Sequence, residues 1–149
     1  MTTRKQKSID SLRPEIDVAY FVLADAAQVV DGKLYLIGGG WDLIWVNEFP
    51  ATHAFAICVG VKVPWDLTNV PHTLNLAVET ADGQALGQIH GKFEVGKPAG
   101  LTQGSAQLIN LAFPSTLSLD GPGRFQIRAL IDDQLVDEIA FGVVQRQGG

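Results

Sequence analysis

A chain of 149 residues, 46% hydrophobic and 18% charged, has the length of one domain and can bury a single core; no apolar run approaches the roughly 20 residues of a membrane-spanning helix, so no membrane association is expected. The net charge is −5, and the first fifteen residues set Arg4, Lys5, Lys7 and Arg13 against Asp10 and Glu15, leaving seven basic and fourteen acidic groups for the rest. Such a surface repels polyanions, which argues against nucleic-acid binding, and the single cysteine, Cys58, excludes an internal disulfide framework and agrees with a reducing, cytoplasmic location.

Residues 1–15 (MTTRKQKSIDSLRPE) read as a disordered basic tail without the apolar stretch of an export signal. Residues 16–149 read as one domain. Short β-rich runs are expected at Val18 to Ala24, Lys33 to Ile37 and Trp41 to Val46, separated by the turn formers Asp31-Gly32 and the run Gly38-Gly39-Gly40. The three glycines precede Trp41-Asp42-Leu43, another strand pattern, rather than the helix that a phosphate loop needs, so they mark a corner. From Ala54 to Val63 the large Phe55, Ile57, Val59, Val61 and Val63 alternate with the small Ala54, Ala56, Cys58 and Gly60, which suits a central strand covered on both sides. Thr73 to Thr80 buries Leu74, Leu76 and Val78 and turns Asn75 and Glu79 outward. Strands at Leu86 to Val95 and Ala106 to Phe113 flank a Gly- and Pro-rich surface connection, Gly96 to Ser105. A closing hairpin sets Phe125, Ile127 and Ile131 inward against Arg124 and Arg128, then turns at Asp132-Asp133 into Leu135 to Val144. Eight or nine strands without crossover helices make an all-β, two-sheet antiparallel sandwich.

The C-terminal GPGRFQIRALIDDQLVDEIAFGVV resembles the last hairpin of immunoglobulin-like sandwiches, a resemblance that implies fold and no function. AYFVLADAAQVVDGKLYLIGGGWD, followed by FPATHAF, VPWDLTNVPHTL and FEVGKPAGL, is similar to an uncharacterised family of small bacterial all-β proteins across most of Val18 to Val144. That resemblance implies a standalone bacterial domain of unknown function. It brings no catalytic or binding residues with it.

The residues themselves offer little chemistry. His53, His72 and His90 lack the spacing that places two imidazoles on one strand face, so no zinc site is expected. The strand-end aspartates, Asp31-Gly32 and Asp82-Gly83 among them, are what turns require without calcium. No serine lies in a G-x-S-x-G context, Cys58 falls on the face of a covered strand, and carboxylate pairs cannot be singled out by sequence. No enzyme and no cofactor are expected. Trp41 and Trp45 share a face with Leu43 and are assigned to the core, whereas Trp65, after Pro64 and before Asp66, Asn69 and His72, stands in a connection as a contact candidate. Two readings follow. The first is a noncatalytic interaction or structural module that engages a protein partner or associates with itself, because Val18 to Ala24 and Leu34 to Ile37 are apolar on both faces. The alternative is a small-molecule or carbohydrate binder, metal-assisted or not, using Trp65, Asp66, Asn69 and His72.

Overall fold

A computed structural model describes residues 15–147, so the basic tail lies outside the described residues but for Glu15. The turn signals separate nine strands: β1 Asp17–Val30, β2 Lys33–Gly39, β3 Leu43–Val46, β4 Ala51–Val63, β5 His72–Thr80, β6 Ala85–Phe93, β7 Gln107–Leu119, β8 Gly123–Ile131 and β9 Gln134–Gln145. They form two sheets, ordered β2-β1-β4-β7 and β3-β9-β8-β5-β6, the expected all-β sandwich of two layers. Among the described residues the one helical element is a three-residue 3-10 turn, Trp65–Leu67.

The core is the set of inward positions that the alternation singles out. Phe55, Ile57, Val59, Val61 and Val63 of β4 meet Leu74, Leu76 and Val78 of β5 and Phe125, Ile127, Ala129 and Ile131 of β8, all buried. Each large side chain so placed contributes about 1.5–3 kcal/mol relative to exposure. Phe125 and Phe141 stack at 5.4 Å between ring centroids, and Phe55 tilts against Phe141 at 6.4 Å. On the other face of the second sheet Arg124 is exposed, but Asn75, Glu79 and Arg128 are half-buried. The Glu79 carboxylate accepts a bond from Gln126 Nε2 at 2.8 Å and lies 3.8 Å from Arg128, so this polar face is drawn together rather than fully wetted.

Both two-residue turns have the geometry their sequences demand. Asp31 and Gly32 sit at φ +52° and +73°, and Asp132 and Asp133 at +50° and +66°, the paired positive values of a tight hairpin turn matched to strand twist.

Three expectations need correction. The pairing is antiparallel except between β3 and β9, which run parallel. Around the end of β2 the chain bends at Gly38 and Gly40, both with positive φ, and crosses to lie along the C-terminal strand, lashed by Gly142 N–H to the Asp42 carbonyl and Arg146 N–H to the Val46 carbonyl. The tryptophan face also differs. Ile44 and Val46 enter the core, and because side chains alternate strictly, Leu43 and Trp45 face out, Trp45 with 54% of its surface exposed. Trp41 precedes β3 and packs at the rim, edge-on to His53 and Phe55 at 6.0 Å from each.

The third correction concerns the second face of β1. Its first half pairs with β4 up to Ala24, and from Ala24 to Val30 it pairs with β2 instead. The resulting β1–β2 hairpin folds back over the outer face of its own sheet, where Asn110 Nδ2 on β7 donates to the Gly32 carbonyl at 2.8 Å. Beneath it Ala24, Ala56 and Cys58 are fully buried, with Tyr20, Val22, Ala27, Leu34 and Ala112 packed around them. The apolar second face of Val18 to Ala24 is therefore covered by the chain's own hairpin. The small residues of β4 make room for this layer: a Cβ on Gly60 would strike the Tyr20 ring. Burial, with a smaller contribution from Cys58, pushes the Tyr20 phenol up to about 12, and burial likewise pushes the Cys58 thiol up.

Candidate functional site

The connection from β4 to β5 carries Trp65, Asp66 and Asn69, and His72 follows as the first residue of β5. Pro64 presets the backbone for the 3-10 turn, which is closed by Leu67 N–H to the Pro64 carbonyl at 3.0 Å and by Thr68 Oγ1 to the Trp65 carbonyl at 2.7 Å. Asn69 adopts φ +60° and donates its N–H to the Val95 carbonyl at 2.6 Å, which fastens the loop to the segment that follows β6. Asp66 and Asn69 are exposed. Trp65 is half-buried, and Lys97 Nζ lies 4.8 Å from its ring centroid, so a cation already occupies one face of the ring.

His72 points the other way. It is 4% exposed, with Nδ1 2.7 Å from Asp132 Oδ2 and Nε2 2.8 Å from the Leu67 carbonyl oxygen. Both partners are acceptors, so both ring nitrogens donate and the imidazolium is the form that the site fits. Burial acts to lower its pKa, but the Leu67 carbonyl, the Asp132 bond and the charges of Asp132 and Glu94 outweigh that and raise it overall. Burial likewise acts to raise Asp132, and the bonds from His72 and from Thr73 N–H, the latter 3.0 Å long, with the His72 charge, lower it overall. His72 thus pins the 3-10 turn to the β8–β9 turn and offers no nitrogen to a ligand. Its partner, Asp132, was not among the residues that sequence singled out for contact.

The other imidazoles are elsewhere. His53 stacks on Phe55 at 6.0 Å, and His90 lies exposed on β6. Among the described residues no three His, Cys, Asp or Glu side chains gather as metal ligands. Two buried polar atoms, Trp41 Nε1 and Asn75 Oδ1, lack a hydrogen-bond partner there. Asn75 lines a surface hollow of about 490 Å³ with Thr73, His90, Lys92 and Asp133.

The surface feature that stands out lies on the hairpin. Ile37 is 75% exposed and Tyr35 53%, and Val29, Val30 and Leu36 are exposed beside them. Ala26, Ala27, Gln28 and the run from Leu34 to Ile37 bound a hollow of about 710 Å³. The cluster lies on an edge strand, where charged residues or proline are the usual occupants. The sequence signal for it was Leu34 to Ile37, apolar on both faces; Val29 and Val30 were not recognised as part of a strand.

No curated protein matches the sequence. Among solved structures, the C-terminal domain of wzt is 11% identical, covers 91% of this chain and 77% of its own, and superposes with a TM-score of 0.50. An immunoglobulin-like protein from Pseudomonas aeruginosa is 13% identical over 90% of this chain and 100% of its own, with a TM-score of 0.39. The Pseudomonas fluorescens alkylpurine DNA glycosylase AlkC is 13% identical over 87% of this chain, with a TM-score of 0.42; the chain spans 30% of that enzyme's length. At 11% identity the likeness to the wzt domain is one of fold alone. No helix among the described residues is long and apolar enough to cross a membrane. Residues 19–144 match the model of a family of unknown function, and the chain belongs to that family, DUF6941.

Proposed function

We propose that the protein is a noncatalytic interaction module whose binding surface is the outward side of the β1–β2 hairpin. The observation that carries this reading is the exposure of Ile37 and Tyr35 at the free edge of a sheet, where a monomer with no partner ordinarily places charge or proline. The noncatalytic part is supported by the state of the groups that could react. The Cys58 thiol is buried and its pKa raised, and His72 has both nitrogens engaged. We place the module in the cytoplasm, where a lone thiol stays reduced. The carbohydrate reading of the loop around Trp65 is the weaker one, because His72 faces inward and Lys97 stacks on the tryptophan.

The test is a photo-crosslinking amino acid placed at position 37 of the full chain in producing cells, with position 82, an exposed turn residue of the second sheet, as control. Discrete protein adducts at 37 and none at 82 are expected. No adduct at 37, or equal labelling at both positions, would remove the hairpin from consideration.

A further inference from the structure

We propose that the occupant of this surface is a second copy of the chain, joined strand to strand through the free edge of β2 about a two-fold axis. The inference rests on the reading of the hairpin as the interaction surface and adds the partner and the geometry.

The phase of the hairpin sets what its edge offers. A two-residue turn at Asp31-Gly32 makes Val30 and Lys33 a hydrogen-bonded pair, and such pairs alternate along antiparallel strands. Lys33 and Tyr35 therefore bond to β1. Leu34 and Leu36 direct N–H and C=O away from it, at the edge of the sheet, and among the described residues neither bonds to anything beyond the hairpin. An antiparallel strand that pairs Leu34 with Leu36 of the other copy satisfies all of these groups in both copies at once. In that register the two Tyr35 residues face each other at the axis in a non-hydrogen-bonded position, with Cα atoms about 4.5 Å apart.

Charge fixes the direction. Lys33 stands at one end of β2, and at the other the Asp25 carboxylate lies against Gly38, whose φ of +64° kinks the strand and ends the regular edge. Antiparallel pairing brings each Lys33 to the Asp25 end of the other copy, twice per dimer. Parallel pairing would set Lys33 beside Lys33. Among the described residues neither Lys33 nor Asp25 has an ion-pair partner within one chain. The usual protections of an edge, lysine and a kink, occupy only the two ends of β2; Leu34 to Ile37 between them are apolar, and Tyr35, Leu36 and Ile37 are exposed.

The experiment uses the full chain. Tyr35→Cys in a Cys58→Ala background should oxidise to a disulfide-linked species of two 16.0 kDa chains, because the axis holds the two Cα atoms within disulfide range. Leu36→Pro removes an outward N–H while leaving the bonds to β1, and should raise the dissociation constant in sedimentation velocity about tenfold or more. Lys33→Glu should weaken the dimer, and Lys33→Glu with Asp25→Lys should restore it. Those two positions lie at opposite ends of one hairpin, so the rescue must come from between copies, and it stands even where the proline variant fails to fold. A wild-type dimer without the disulfide or the rescue would overturn the β2 pairing. An adduct of position 37 with a different protein and a monomeric wild type would overturn the second copy and leave the interaction surface standing. A monomer with no adduct at all would overturn both.

Discussion

Replacing His72 tests the argument for the buried pin. Its imidazolium makes two charge-assisted bonds, to the Leu67 carbonyl at 2.8 Å and to Asp132 at 2.7 Å. Each such bond is worth about 1.5–3 kcal/mol when shielded. The Asp132 side chain is 48% exposed, so solvent screening reduces its share to about 1 kcal/mol or less, whereas the bond to Leu67 from a 4% exposed ring keeps most of its value. His72→Gln should then cost about 3 kcal/mol at mildly acidic pH, a fall of roughly 6–12 °C in Tm for a domain of this size. The pH dependence has a definite sign. The His72 pKa is raised from 6.5, so its stabilisation is complete below 6.5 and is lost as pH rises through the folded-state value. Asp132 is lowered from 3.8, so its share is complete above 3.8 and is lost as pH falls through the folded-state value. The pin is strongest between those limits. Urea denaturation of wild type and His72→Gln at about pH 5.5 and pH 8.5 should show a difference between them that shrinks at the higher pH, and a difference equal at both would refute a charged pin.

Two further outcomes concern the layer over β4. Gly60→Ala should force the Tyr20 ring aside and break its 2.6 Å bond to Asn110, costing about 1–3 kcal/mol by denaturant titration; an unchanged midpoint would mean that the ring does not rest there. Asn110→Ala removes both that bond and the one to Gly32 and should cost about 1–3 kcal/mol. Amide exchange should then quicken in the hairpin and stay slow in β5 and β8, and a uniform change would count against a tethered hairpin.

What was legible in the sequence is what a single strand carries within itself. The alternation of large and small residues from Ala54 to Val63 placed β4 in the middle of a sheet with both faces covered, and Asp132-Asp133 fixed the last hairpin. What escaped needed either a through-space partner or a signal that composition hides. β1 runs on through Asp25-Ala26-Ala27-Gln28, four residues with no apolar alternation, because that stretch is held by β2 rather than by burial. β7 continues past Phe113 because Pro114 falls on an edge strand, where its missing N–H leaves no gap in a ladder. The phase of β3 was hidden because both of its faces are apolar: Leu43 and Trp45 do share one side, but Ile44 and Val46 on the other are the pair that enters the core. In the candidate loop Trp65, Asp66 and Asn69 are local neighbours, but the inward orientation of His72 depends on Asp132, sixty positions away, which nothing local announces.

The small residues of β4 and the exposed residues of β2 are two consequences of one choice of topology. Ala56, Cys58 and Gly60 are small because a hairpin lies on them, and the hairpin can lie there because Asn110 holds Gly32 through one amide group and Tyr20 through the other end of the same side chain. The layer that buries Cys58 on its inner side therefore presents Tyr35 and Ile37 on its outer side in a fixed conformation, at an edge whose hydrogen-bonding groups are already aligned. A loose hairpin would lose that order on binding and give back much of the gain from burying two large side chains. Fastened at its tip, it has little left to lose, which is what lets the proposed pairing rest on an edge of only a few residues.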